Sequence, residues 1–378
     1  MKEYFSYKPK SELLKELLEL MAKVKDIDGA CSLLSWDQET YMPPGAVETR
    51  SHQLSALEVI SHSFLSSDKA INLADRIRNI ESSEDPLESS MFRLFLREHD
   101  KAVKIPESFV FRYSAARTLA IEGWKEARKK EKFKFFEKDL SKLLELKVEE
   151  ADYLGYKKNR FDAFLDYYEP GMTAAKLEPM FNNLSRHALD TLKKIEINKD
   201  KVSDEFIKQK FASQGQIKFI RIIAQKMAFD FYYGRIDKSI HPFTTSFSPK
   251  DVRITTRINE TEIRAGVYAA IHELGHALYE QGIDYILDRT FAGEGASYGL
   301  HESQSLIWEN IIARTKEFWM WALPELQQIF PGQLTDIYPS DMFKAVNVVR
   351  PSFIRTEADE LTYNLHICLL YTSDAADE

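Results

Sequence analysis

Apolar residues return every three or four positions through most of the chain, and this spacing, which makes one face of a helix apolar, constrains the fold more than any other feature. In the first segment Leu13, Leu14, Leu17, Leu18, Met21 and Val24 fall on one face, and Ser11 stands where an N-cap hydroxyl would serve. The same spacing predicts helices over residues 45–80, 87–103, 107–130, 136–154, 174–197 and 204–234, and again over 261–281, 301–322 and 341–367. Breakers separate them, among them Met42-Pro43-Pro44-Gly45, Asp85-Pro86, Ile105-Pro106 and Glu169-Pro170-Gly171. One stretch departs. His241 to Phe247 and Asp251 to Ile258 are rich in Thr, Phe and Ile with a Ser248-Pro249 turn between, which predicts a small β-hairpin. Aromatic groups at helical spacing, Phe133, Phe135 and Phe136 and then Trp308, Phe318, Trp319 and Trp321, are expected in the core. With no repeat or linker-like run, the expectation is a mainly α, continuous helical body with a groove.

Charge and cysteine usage narrow the function. Against 51 Lys and Arg stand 59 Asp and Glu, a formal charge of −8, which disfavours extended contact with nucleic acid. Cys31 and Cys368 are too few for a disulfide framework or an all-cysteine zinc site. The first residues mix Lys and Glu into every turn, and nothing later reaches the roughly 18 consecutive apolar residues of a membrane span. A cytoplasmic protein with no membrane partner is expected.

Chemistry concentrates in His272-Glu273-Leu274-Gly275-His276, flanked by Ile263, Val267, Ala270, Ile271 and Leu278 on an amphipathic helix. Four residues apart, His272 and His276 project from one face about 6 Å apart along the axis, which suits two imidazoles sharing a tetrahedral ion. Glu273, turned about 100° from His272, can take a proton from water beside the ion. A third histidine at the metzincin spacing is absent, since Tyr279 and Gly282 occupy those positions. Glu302 opens the next helical segment after the Ala292-Gly293-Glu294-Gly295 turn that lets the chain double back, and it is the expected third ligand, with His301 the competitor. A His-His-Glu set leaves the fourth position open, as catalytic zinc requires.

These motifs occur in an order similar to that of carboxypeptidase Taq-type metallocarboxypeptidases: His241-Pro242-Phe243, Asp251-x-Arg253-x-Thr255, the HELGH helix, His301-Glu302-Ser303-Gln304, and Ile354-Arg355-x-x-Ala358-Asp359. The segment from Trp36 to Pro44 resembles that family too. The resemblance implies a zincin-like helical body with a deep groove, one divalent metal ion (Zn2+ first, Co2+ second), and removal of C-terminal residues from peptides with a free carboxylate. It also implies a homodimer, and a family chain that continues with further helices. The likeness ends near Ile367, so a single, C-terminally incomplete domain is expected over 1–367, with 368–378 a disordered tail.

A terminal carboxylate is planar and anionic, and an arginine fork binds it bidentately. Arg355 is the first choice for that role and Arg253 the second, each with a competing structural ion pair: Arg355 with Glu357 or Asp359, Arg253 with Asp251. His241 would donate to the substrate carbonyl. Two rival readings share these residues: a metallo-endopeptidase or oligopeptidase without a carboxylate clamp, and a non-catalytic helical binding protein with a structural metal.

Overall fold

The computed structural model describes residues 7–80, 83, 85–355 and 358–372, with backbone alone for 368–372. Helices α1 (Glu12–Thr40), α2 (Val47–Ser66), α3 (Asp68–Arg78), α4 (Pro86–Ala102), α5 (Glu107–Lys130) and α6 (Lys134–Leu154) form the first part. A short α7 (Asp162–Tyr168), unforeseen from the sequence, leads to α8 (Ala174–Glu196) and α9 (Ser213–Lys226). Three strands follow, β1 (Gly234–Lys238), β2 (Thr244–Ser248) and β3 (Asp251–Thr256). The remainder is α10 (Ile263–Gln281), α11 (Tyr298–Leu306), a π-helical turn (Ile307–Ile312), α12 (Lys316–Ile329), α13 (Pro331–Leu334), α14 (Pro339–Val346) and α15 (Glu360–Thr372). The protein is mainly α with one small sheet. Among the described residues no helix is long and apolar enough to cross a membrane.

Local chemistry sets these boundaries. Ser11 caps α1 by accepting from Leu14 N at 3.0 Å, as expected, and Asp85 caps α4 ahead of Pro86 at its first position. The helix expected over 45–80 is split at Ser67, whose extended backbone and hydroxyl, accepting from Ala70 N, start α3 afresh. The helix expected to 234 stops at Lys226: Ala228 turns to a φ of 66°, and the chain emerges as β1, a strand the sequence reading missed. β1 pairs parallel to β3 and β2 antiparallel to it, so the anticipated hairpin is present but its second strand is central. Gly234 is needed there, because a Cβ would lie 2.6 Å from the Val252 carbonyl oxygen.

The long helix expected over 341–367 is two helices, α14 and α15, with a connection between them that is not α-helical among the described residues. Pro351 disfavours helical backbone at Arg350, and Asp359 restarts the helix by accepting from Leu361 N and Thr362 N at 3.0 Å. Arg355 therefore stands on a loop. α15 runs on to Thr372, past the Ile367 limit expected for helical spacing, while 373–378 lie outside the described residues. Phe133 and Phe135, expected in the core, are 61% and 45% exposed: they sit at the α5–α6 turn, closed by Glu131 at a φ of 52°. Trp319 is buried as expected.

Two apolar clusters hold the body. Leu14, Leu17, Leu18 and Met21 of α1 pack on α3 and α4 through Leu73, Ile77, Met91 and Phe95. A second cluster joins Ile220 and Ile223 of α9, Val252 and Ile254 of β3, Ile271 and Leu274 of α10, and Trp319 and Leu326 of α12. This second cluster fixes α10 against the sheet.

α11 crosses α10 at Gly275, where a Cβ would come within 2.6 Å of Ser305 Cα and 3.0 Å of Gln304 O. Glycine to alanine inside a helix ordinarily stabilises by up to about 1 kcal/mol, but this contact is with backbone and cannot give way cheaply. Gly275→Ala should therefore cost about 1–3 kcal/mol and move Glu302 off the histidines. Urea unfolding checks this, and a variant of parental stability would show that the close crossing is unnecessary.

Candidate metal centre

The buried apolar face of α10 leaves His272 and His276 on the opposite side, facing α11. His276 Nε2 lies 3.2 Å and His272 Nε2 3.6 Å from Glu302 Oε2. One donor atom from each of these three residues falls within 4.8 Å of the others, and they are the group of this kind found among the described residues. His276 Nδ1 is buried without a hydrogen-bond partner. Two imidazole nitrogens and a carboxylate converging in this way fit a divalent ion with an open position.

Glu302 is partly buried, which opposes ionisation, but the hydrogen bond from His276 and the charges of both imidazoles hold its carboxyl below the usual range. Glu273 is buried on the neighbouring flank. Burial pushes its carboxyl up, tempered by the two histidines and by Thr244, whose hydroxyl donates to Glu273 Oε2 at 2.7 Å. A carboxylate whose proton affinity is raised while it is held by one donor is suited to accept and return a proton.

Two contacts were not foreseen. Thr244 opens β2 directly after the His241-Pro242-Phe243 triplet, and its position on the strand gave no sign of the Glu273 contact. Glu309 accepts from His272 Nδ1 at 2.8 Å. Its place seven residues after Glu302, two helical turns on and so on the same face, was the available signal. His301, the competing ligand in the sequence reading, is turned away to Glu280, 2.8 Å from its Nε2, and stacks on His276 with ring centroids 4.4 Å apart. It is outside the His-His-Glu group.

The remaining expected site residues divide between a brace and a basic corner. Arg253 is held bidentately by Asp251 at 2.8 Å and lies between the Trp36 and Phe247 rings, with its guanidinium 4.6 and 4.8 Å from their centroids. That contact explains Trp36, and Tyr41 of the same motif bonds Asp237 on β1. His241 lies just before β2. Partial desolvation and the charges of Arg128, Arg257 and Arg355 hold its imidazole below the usual value. Arg355 reaches Tyr363, with Nη1 3.5 Å from the phenolic oxygen. Of its expected structural partners, Asp359 is engaged instead with Arg350 N and the start of α15, and Glu357 lies outside the described residues. Along β2 an open cavity of about 470 Å3 is lined by Thr244 to Pro249, Lys25, Glu280, Asp288, Glu294 and His301.

A helical body in which a buried helix lifts two histidines and a glutamate toward a carboxylate of the next helix defines a metallopeptidase. A family model for carboxypeptidase Taq (M32) metallopeptidases matches residues 16–375. The chain is 36% identical over 364 residues to carboxypeptidase 1 of Bacillus subtilis (strain 168), covering 96% of this chain and 72% of that protein. It is 37% identical over 364 residues to thermostable carboxypeptidase 1 of Pyrococcus furiosus, with the same coverage. The BsuCP crystal structure superposes with a TM-score of 0.92 at 36% identity, covering 96% of this chain and 73% of that one. The chain belongs to the carboxypeptidase Taq (M32) metallopeptidase family and is a metal-dependent carboxypeptidase acting on peptides.

If the His-His-Glu group takes up a metal ion, proton and metal compete for His272. In the metal-free protein burial works against its charge, but the hydrogen bond and negative charge of Glu309 outweigh it, with help from Glu273 and Glu302, and raise the imidazole to about 9. Metal uptake must displace that proton, so apparent zinc affinity should climb by about tenfold per pH unit below the His272 value and level off above it. Calorimetry in buffers of different ionisation enthalpy counts the proton released. Uptake near neutral pH without proton release would show that His272 is already neutral.

Proposed function

We propose that His272, His276 and Glu302 hold one divalent ion, that Glu273 is the general base and acid, and that Arg355 binds the substrate's terminal carboxylate. The convergence of the two imidazoles with Glu302, beside a buried Glu273, carries this reading. The donor set favours zinc, with cobalt as a functional substitute. When bound, such an ion polarises the scissile carbonyl and lowers the pKa of water towards neutrality.

Glu273 takes a proton from the attacking water and returns it to the leaving amine. Thr244 keeps the Glu273 carboxylate oriented for both transfers. The outer edge of β2 has no strand beside it among the described residues, so an extended peptide can pair along it and pass Glu273. The terminal carboxylate then falls at the positive corner formed by Arg355, Arg128 and Arg257, with His241 donating to the peptide. Arg253 is already committed to Asp251, which favours Arg355 as the clamp.

Replacing Glu273 by Gln keeps the size and removes the base. Turnover should fall by about 10²–10⁴-fold with metal content unchanged. Full activity at full occupancy would remove Glu273 from the mechanism.

Arg355→Ala should lower kcat/KM on free-acid peptides at least about tenfold, the worth of a charge-assisted contact of roughly 1.5–3 kcal/mol. Amidated peptides should be poor substrates of both enzymes. Equal losses on free-acid and amidated peptides would mean that Arg355 does not read the carboxylate, and brisk cleavage of amidated peptides by the parent would favour an oligopeptidase.

A further inference from the structure

We infer that Glu309, presented by the π-helical turn and braced by Arg314, is a positioning residue that fixes the tautomer and ring orientation of His272. This rests on the reading of His272 as a metal ligand. The turn over Ile307–Ile312 continues directly from the helix that carries Glu302, so Glu302 and Glu309 reach α10 from one continuous backbone. A π turn inserted in a helix is uncommon and occurs often at functional sites. Here its wide ring closes with Ala313 N donating to Trp308 O at 2.9 Å, and the Ala313 carbonyl accepts from Tyr268 Oη at 2.9 Å. Tyr268 stands one turn before His272 on the same face of α10, so the turn is docked on the helix it serves.

The two oxygens of Glu309 face in different directions. Oε2 accepts from His272 Nδ1 at 2.8 Å, and Oε1 lies 3.5 Å from Arg314 Nη2. Arg314 is itself held on every side. Its Nη1 donates to Val346 O at 2.6 Å, its Nε to Asn310 Oδ1 at 3.0 Å, and its guanidinium stacks on the Tyr268 ring at 4.6 Å. These contacts hold Glu309 against His272, and with that acceptor in place the neutral imidazole, once its second proton is displaced, keeps its proton on Nδ1 and presents Nε2 as a lone pair. Nε2 is the atom that points toward Glu302. A carboxylate partner of this kind commonly contributes 10–100-fold to metal affinity.

The test uses the metal-free full chain, titrated with zinc against a chelator, and the visible spectrum of the cobalt-loaded protein. Glu309→Leu should weaken zinc binding by about 10–100-fold and shift the cobalt bands. Glu309→Gln, whose carbonyl still accepts from Nδ1, should recover most of the affinity and a near-parental spectrum, a rescue that loss of general stability would not give. Should the leucine variant fail to fold, Glu309→Asp replaces it, its shorter reach expected to cost about tenfold. Leucine or aspartate variants that bind like the parent with unchanged bands would overturn the inference while leaving the ligand assignment intact, provided His272→Ala loses binding. A His272→Ala protein that retains parental affinity would overturn both.

Discussion

The backbone of α11 rests against α10 at Gly275, and the geometry of the centre depends on that contact. Two histidines on one helix can offer only two ligands from one direction. The third must come from another element brought within a few ångströms, and side chains at the crossing would hold the helices about 8–10 Å apart. A residue without Cβ at the crossing removes that spacer, so that the Ser305 backbone can lie where a methyl group would be. Glu302, one turn earlier on α11, is thereby delivered to His272 and His276. The apolar side of α10 supplies the opposing force, since Ile271 and Leu274 are anchored between α9, β3 and α12 and keep the helix from yielding.

Legibility of these features in the sequence followed how local their causes are. The HELGH helix could be read because its apolar flank and its histidine spacing obey one period. The reach of Glu302 followed from a glycine-rich turn, which says that the chain reverses without saying how closely it returns. β1 was missed because its five residues follow directly on a helical pattern, and its strand state is imposed by pairing with β3, nearly twenty residues on. The segment around Arg355 was read as helix because apolar residues continue at helical spacing through it. The backbone restriction before Pro351 and the side-chain cap from Asp359 override that spacing. Phe133 and Phe135 fit a helical face, but periodicity cannot tell a face turned to the core from one at the tip of a hairpin. Glu309 carried a spacing clue, yet the wide turn that presents it has no sequence signature.

The motifs shared with the family turn out to have unlike physical duties. Trp36 and Tyr41 clamp the end of α1 to the sheet through Arg253 and Asp237, so their contribution is to hold β2 and β3 in place. Asp359, in the segment with Arg355, spends its carboxylate on the α15 start and on Arg350 N, shaping the loop from which Arg355 projects. Arg350 is in turn tied to the buried Asp204, which also lies 3.7 Å from Arg264 at the beginning of α10. The loop bearing Arg355 and the helix bearing the histidines thus share one buried anion as an anchor. Asp204 also pairs with Lys208 at 2.9 Å, and a buried carboxylate with three cationic neighbours is costly to leave unpaired, which makes that anchor stiff.

On the proposed assignment, the electrostatics along β2 give a bound peptide a direction. At the start of the strand, burial and then the charges of Arg128, Arg257 and Arg355 lower the His241 imidazole, so positive charge gathers at this corner. The cavity that runs along β2 is lined by Asp26, Glu280, Asp288 and Glu294 against Lys25 and Arg289. Most of those charges are spent internally: Lys25 pairs with Glu294, Arg289 with Asp26, and Glu280 with His301. The cavity therefore offers a polar lining whose charges are mostly paired, while the corner beside His241 gathers Arg128, Arg257 and Arg355. Reversing the peptide would put its ammonium among arginines, a like-charge arrangement that costs more than any polar contact at the other end returns. Selection for a chain terminus then needs no wall to block the groove, only this asymmetry with the Glu273 carboxylate between the two ends.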